Sequence, residues 1–336
     1  MKILITGGAG FLGSEIVNKL VYSKTIDLTV IDNLSRGYLR RIKKNINKIK
    51  FIKEDVCNLN KLKLQKFDWI IHSSAIAPLP DNQCNHFNSI VSNIAQCGSI
   101  VDFCVKSGTK NIIFFSSSAV YEKQVKKPFD ENITNPPTLM YPTSKFLAEK
   151  YFDSVVRSYK INIISLRLAN IYGRNQDYFR KQMPFLGYLI KNTLNKKYLT
   201  LFAKGNFKRD YLFIDDLIEA ILKILKFKKF SNKHHIFNIG SGKAYSVLDF
   251  LQLIEKITKI KPKVIWGNKN NYWKKYNELY NSKIKFDKKL IKGEVEKKVI
   301  LNSNKIRNVL KWKPKTNIAD GLKECIKYAK SIVLTK

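Results

Sequence analysis

The segment that most restricts this chain is Gly7-Gly8-Ala9-Gly10-Phe11-Leu12-Gly13, which follows the apolar run Lys2–Thr6 and opens a helical stretch. Its glycines fit GxxGxxG from Gly7 or GxGxxG from Gly8. A tight turn, a backbone brought close to a pyrophosphate and a helix packed near its strand each leave no room for a side chain. The pyrophosphate would meet the unpaired N–H groups at the helix start. Asp32 closes the next strand-like run, 19 residues after Gly13, close to the ~20 at which an acid reaches a ribose 2′-OH. A carboxylate there accepts from that hydroxyl and repels a 2′-phosphate, which favours NAD; Arg36 keeps NADP as the minority alternative. An ordinary strand–turn–helix with Asp32 as a cap is the bland alternative, and the order strand, turn, helix, acid argues against it.

The rest of the first half repeats the alternation. Strand-like runs fall at Lys2–Thr6, Leu28–Asp32, Lys50–Glu54, Trp69–His72, Asn111–Ser116 and Asn162–Leu168, with helical stretches at Leu12–Tyr22, Asn88–Ser107 and Pro142–Tyr159. Near-continuous apolar strands between helices predict a parallel sheet covered on both faces. The fold class expected is therefore α/β, a doubly wound, Rossmann-type parallel sheet of six strands with a smaller α/β substrate-binding lobe. We place the NAD-binding domain at 1–175 and the lobe at 176–336, with some later segments returning to pack on the first domain. In the lobe, helices are expected at Pro184–Asn195, Asp216–Lys226, Val247–Thr258, Ser303–Leu310 and Ile318–Ser331, and strands at Leu199–Ala203 and Arg209–Ile214. The Lys- and Asn-rich stretch Gly267–Lys292 has no clear period, although Trp273, Tyr276 and Tyr280 argue against disorder.

Composition excludes several classes. A hydrophobic fraction of 44% over 336 residues fits a globular chain. No apolar run approaches the ~20 residues of a membrane span, and the N-terminus lacks a signal-peptide pattern. Five scattered cysteines without a CxxC pair suit a reducing cytoplasm, and four histidines without ligand spacing give no metal. The net charge of +36 would suit a polyanion such as nucleic acid. The lysines are spread along the chain rather than gathered in an arm, so compositional drift is the favoured reading and no nucleic-acid partner is assigned.

Tyr141-Pro142-Thr143-Ser144-Lys145 sets a phenol and an ammonium one helical turn apart on the same face. Lys145 nearby would favour the phenolate, bringing the Tyr141 pKa down from ~10 toward working pH. Tyr141 then becomes a general base and acid toward a substrate hydroxyl. Ser116-Ser117-Ser118 ends the fifth strand at the carboxyl edge, where open α/β sheets bind ligands, and Ser117 or Ser118 could hydrogen-bond the reacting oxygen.

With these strings together, the chain resembles the extended short-chain dehydrogenase/reductase family, in its nucleotide-sugar epimerase/dehydratase branch, over nearly its whole length. Thr6–Gly13 is similar to the family's TGGAGFLG opening, Ile31–Gly37 to its DNLSRG segment, and Ser117–Tyr121 with Tyr141–Lys145 to its catalytic strings. Arg167–Gly173 resembles RxxNxYG, Gly205–Tyr211 resembles GxxxRDY, and Asn238–Gly242 with Trp312-Lys313-Pro314 completes the pattern. The resemblance implies NAD held along Gly7, Gly10, Phe11, Leu12 and Gly13 and by Asp32, Asn33, Ser35 and Arg36. Asp55 and Val56 would contact adenine, while Ser74, Ala75, Asn93, Ser116, Tyr141 and Lys145 complete the cofactor set. It further implies Tyr141, Lys145, Ser117 and Ser118 as catalytic groups, and Ser117, Asn170 and Arg209 as ligands of a nucleotide-diphosphate sugar. A homodimer through the helices at Asn88–Ser107 and Pro142–Tyr159 is the family expectation. The chain departs from the pattern at Ser73-Ser74, where HxAA is usual, at Gln96-Cys97 in place of Gly-Thr, and at Glu122 in place of Gly.

The family shares an opening step in which the tyrosine removes a hydroxyl proton while hydride passes to the nicotinamide. Relatives that eliminate water carry an Asp-Glu pair after the catalytic Ser/Thr, and decarboxylating ones a Glu where Ala119 stands. Ser118 and Ala119 can do neither, which points to a 4-epimerase working through a transient 4-keto sugar. Dehydratase, decarboxylase and dehydrogenase/reductase activities remain alternatives within the family. A non-catalytic NAD-binding protein or a nucleic-acid-binding protein are the alternatives outside it.

Overall fold

The computed structural model describes residues 1–124, 127–133, 135–180, 183–205, 207–274 and 276–333. The stretch 267–292 thus includes one position, Lys275, outside the described residues, and the string at Gly205–Tyr211 another, Asn206.

The chain opens with β1 (Lys2–Thr6), α1 (Phe11–Leu20), β2 (Asp27–Ile31), β3 (Lys50–Ile52) and β4 (Trp69–His72). Two short helices follow, α2 (Leu79–Cys84) and α3 (His86–Ile90), then α4 (Gln96–Ser107), β5 (Asn111–Ser117), α5 (Met140–Ser158) and β6 (Asn162–Leu168). The second half supplies β7 (Asn170–Tyr172), α6 (Phe185–Leu194), β8 (Tyr198–Leu201), β9 (Lys208–Phe213), α7 (Ile214–Lys226) and β10 (His234–Ile239). It ends with β11 (Ala244–Ser246), α8 (Val247–Thr258), β12 (Lys263–Trp266), α9 (Asn277–Asn281), α10 (Lys288–Glu296), α11 (Asn304–Leu310) and α12 (Ile318–Val333).

The main sheet is parallel in the order β10-β6-β5-β4-β1-β2-β3. In β1 the side chains alternate as a two-sided strand must: Ile3 and Ile5 join the core on the α1 face, Leu4 the core beneath α4 and α5. The doubly wound sheet is therefore the one expected, with one correction. It has seven strands rather than six, because β10 pairs with β6 from His234↔Ile163 to Ile239↔Leu168. The run at His234–Ile239 sits among histidines and lysines, so its apolar alternation is short. Two small sheets, β11-β9-β7 and β12-β8, carry the far wall of the site.

The helix expected at Asn88–Ser107 is also broken. A π turn at Val91–Ala95 separates α3 from α4, one extra residue per turn that swings Asn93 inward. No helix among the described residues is long and apolar enough to cross a membrane.

His72 ends β4 in full burial, its Nδ1 2.7 Å from the Thr6 hydroxyl. Burial, helped by the Lys145 ammonium, pushes its pKa down to about 3. The unfolded chain takes up this proton near 6.5, the folded chain only near 3, so the contribution is intact above pH 6.5 and is lost as pH falls through that window. Urea unfolding should show about 2 kcal/mol of stability lost between roughly pH 7 and pH 5, and His72→Asn should remove that part of the pH dependence.

Candidate active site

A cleft of about 930 Å³ runs along the carboxyl edge of the main sheet, between the ends of β1, β2, β4, β5 and β6 and the small sheets. The glycine turn forms its floor, with Gly7, Gly10, Phe11, Leu12 and Gly13 all on the lining. Gly7 holds φ +68°, and a Cβ there would sit 2.7 Å from the Ser74 Cα. A Cβ on Gly13 would strike the Gly7 carbonyl. The first turn of α1 has no side-chain cap, so its leading N–H groups face the cleft as an anion site. An uncapped helix start behind a turn with no room for a Cβ at Gly7 or Gly13 is the donor set a dinucleotide pyrophosphate requires, and NAD fits the residues present.

Asp32 is buried against this turn. Its Oδ2 accepts from the Ala9 N–H at 2.9 Å and its Oδ1 from the Leu34 N–H at 2.8 Å, and it lines the cleft together with Asn33, Ser35 and Arg36. Arg36 pairs with Asp81 at 2.7 Å. Asp55 and Val56 stand off the lining. Asp55 is joined to the rim through the Asn33 amide at 2.8 Å and caps the Cys57 N–H, while the Val56 side chain belongs to the core. Asn93 is likewise behind the wall, where its amide accepts from the Ile76 N–H at 3.1 Å and donates to Asn82 at 2.9 Å. It fixes the loop that presents Ser74 and Ala75, both on the lining.

The reacting end lies where β5 meets α5. Ser116, Ser117, Ser118, Tyr141 and Lys145 all line the cleft there. The Ser117 Oγ accepts from the Ala119 N–H at 3.1 Å and lies close enough to the Tyr141 phenol to ease its ionisation. The Lys145 Nζ donates to the Phe115 carbonyl at 2.9 Å and lies 4.7 Å from the centre of the Phe114 ring. Burial lowers the Lys145 pKa to about 8, with Cys97 and Glu149 pulling the other way. Tyr141 corrects an expectation. Its pKa is raised by burial and eased only by Ser117, because the ammonium is directed at the Phe115 carbonyl rather than at the phenol.

The roles of two groups here escaped the sequence analysis, although Glu122 stands out there as a departure from the pattern. Glu122, which replaces a glycine of the family pattern, accepts from Thr138 N–H at 2.9 Å, Thr138 Oγ1 at 2.6 Å and Leu139 N–H at 2.9 Å, pinning the residues that lead into α5. Glu149, one turn beyond Lys145, forms a buried ion pair with Arg167 at 2.6 Å and accepts from Ser116 Oγ at 2.5 Å. Arg167 also donates to the Tyr121 hydroxyl at 2.9 Å and the Glu131 carbonyl at 2.7 Å, and Tyr121 donates to Asn238 at 2.6 Å. Burial opposes the Arg167 charge, but Glu149 and Tyr121 hold its pKa above the ordinary value.

At the far end, Asn170 and Arg209 line the cleft opposite an aromatic wall that includes Tyr272, Trp273 and Tyr276. Asn170 donates to the Asp210 carbonyl at 3.1 Å. Arg209 donates to the backbone carbonyls of Lys297 and Glu294, so α10 already engages the guanidinium. Asp210 behind it accepts from Ser241, Gly242 and Leu301, tying β9 to the loop after β10.

Fold and site together define a dinucleotide-binding α/β protein with serine, tyrosine and lysine side chains on one cleft. Residues 3–240 match the profile of the NAD dependent epimerase/dehydratase family, and the chain belongs to that family. It is 27% identical to a UDP-glucose 4-epimerase of Lactobacillus helveticus over 98% of each chain. It is 26% identical to the dTDP-D-glucose 4,6-dehydratase of Mus musculus, over 97% of this chain and 88% of that one. The solved UDP-glucuronic acid 4-epimerase of Bacillus cereus, in complex with UDP-glucuronic acid and NAD, superposes with a TM-score of 0.83 at 25% identity, over 99% of this chain and all of that one (100%).

Removing one partner of a buried ion pair strands the other charge, which typically costs about 3–5 kcal/mol. Glu149→Gln and Arg167→Met should each lose stability on that scale, and the double variant should lose less than their sum. A double-mutant cycle by urea unfolding reads the coupling, and simple additivity would deny the pair its role.

Proposed function

We propose that this chain is an NAD-dependent 4-epimerase of a nucleotide-diphosphate sugar. The observation that carries the reading is the set of ionisable groups around Tyr141. The carboxylates on the cleft lining are Asp32, Asp177 and Glu294. Asp32 serves the glycine turn, Asp177 accepts from the Phe179 and Arg180 N–H groups, and Glu294 pairs with Lys297 at 3.1 Å. Ser118 and Ala119 follow Ser117 where an eliminating enzyme needs acids. Among the described residues, the centre is thus equipped to remove and return one hydroxyl proton, with no second acid on the lining placed to expel water.

In this scheme Ser117 and Tyr141 hold the sugar hydroxyl, and the Tyr141 oxygen, as the phenolate, takes its proton and later returns it. NAD, when bound, would supply the hydride acceptor and donor that passage through a keto sugar requires. Lys145, whose burial lowers its pKa to about 8, keeps its ammonium at neutral pH and serves the ribose. Ser118 supports the same oxygen. Arg209 takes the diphosphate and Asn170 the neighbouring groups, which requires Arg209 to share its contacts with α10.

The site lies where a domain of 1–175 would meet a lobe of 176–336, the division we propose. A homodimer in a reducing cytoplasm completes the reading. Phe87 and Ile90 on α3 are 76% and 55% exposed beside Leu147 and Tyr151 on α5, an apolar stripe suited to a second copy, and all five cysteines are free thiols.

Tyr141→Phe should slow interconversion of UDP-sugar epimers by more than about a hundredfold (about 2.7 kcal/mol of barrier) while NAD stays bound. Turnover within about tenfold of the parent would refute the assignment of Tyr141. Light scattering should give a dimer for the parent and a monomer for Phe87→Glu/Leu147→Glu.

A further inference from the structure

The wall of the cleft beside Lys145 is hydrogen-bonded almost throughout. Ser73 donates to the Thr6 carbonyl, Asn93 is paired with Ile76 and Asn82, Ser99 donates to the Val56 carbonyl, and Ser116 donates to Glu149. Gln96 differs from these. It is the first residue of α4, only 4% exposed, and lies on the cleft lining. Its Oε1 is buried without a hydrogen-bond partner. An amide oxygen taken out of water and left unpaired is costly, and such a group persists where a ligand or an ordered water completes it.

We propose that Gln96 contacts the cofactor, accepting a hydrogen bond from the nicotinamide-side ribose. The inference rests on the NAD reading of the cleft and adds a residue that the resemblance does not supply, since the family pattern has glycine at this place. The position selects the ribose. Gln96 follows directly on the π turn that carries Asn93, and that turn packs against α5, the helix of Tyr141 and Lys145. Gln96 therefore lies toward the reacting end of the cleft rather than at Asp32, where the other ribose would lie. A vicinal diol is the fitting group. One hydroxyl can donate to the amide oxygen while the other accepts from an ammonium, so a neutral acceptor and a cation side by side read both.

The test is calorimetric titration of the nucleotide-free protein with NAD, ADP-ribose and ADP, in the parent, Gln96→Met and Gln96→Ala. Met retains the length of the side chain without its polar atoms, and Ala provides a second reading if Met fails to fold. The dissociation constants for NAD and ADP-ribose should rise by about fivefold or more, the size of one net hydrogen bond. ADP, which lacks the second ribose, should bind within about twofold of the parent. The melting temperature of the nucleotide-free Gln96→Met protein should be unchanged or higher, since the unpaired oxygen is gone. NAD binding within about twofold of the parent in a folded variant would overturn the proposal and leave Gln96 to an ordered water. Equal losses for NAD and ADP would overturn it too, by showing a general distortion of the cleft. A parent that bound no NAD would instead sink the cofactor reading itself.

Discussion

The ion pair between Arg167 and Glu149 joins four parts of the chain that must not move relative to one another. Glu149 rides on α5, one turn past Lys145; Arg167 is on β6; Ser116, at the end of β5, donates to the same carboxylate; and Tyr121 and Asn238 extend the network to β10. Two charges in an apolar interior are tolerated because each is met by further polar groups, and the arrangement then admits little alternative geometry. The registration of α5 on the end of β5 decides whether the Tyr141 phenol meets Ser117. That registration is set from behind by the buried pair and from the front by the Glu122 carboxylate, which fixes Thr138 and Leu139.

The other half of the site depends on exclusion rather than attraction. Gly7 and Gly13 leave no room for a Cβ, so the turn after β1 closes onto Ser74 and onto itself. The Asp32 carboxylate then holds the turn by accepting from the Ala9 N–H. Its two oxygens bridge the ends of β1 and β2 and hold the acid close to the uncapped start of α1. The wall beyond runs from β7 and β9 to α10. Arg209 is committed to two backbone carbonyls of the segment it would have to share with a diphosphate.

What could be read in the sequence follows from how local each signal is. Strands β1, β4 and β6 were legible to the residue, because apolar runs bounded by turns carry their own ends. The glycine turn was legible because each glycine answers a separate steric demand. β10 was not, since His234 and His235 gain their place only from pairing with β6 and from partners such as Asp153, which meets His234 at 2.6 Å. The π turn at Val91–Ala95 has no periodic signature, and without it Asn93 could not be placed behind the wall. The direction of the Tyr141 shift was misjudged because spacing on a helix says that Lys145 is near and does not say where its ammonium points. Glu149 and Glu122 act on atoms close in space and distant in sequence, and no local pattern announces them.

The central claim is that one hydride leaves and returns to a single sugar carbon while one proton leaves and returns to the hydroxyl oxygen on that carbon, with no other bond broken. Turnover of UDP-glucose, UDP-N-acetylglucosamine and UDP-glucuronic acid in deuterium oxide, followed by mass spectrometry after return to ordinary water, tests it most directly. The account predicts an epimer of unchanged mass with no deuterium on carbon, because the hydride is kept within the site. A product lighter by water or carbon dioxide, or one carrying carbon-bound deuterium, would contradict it.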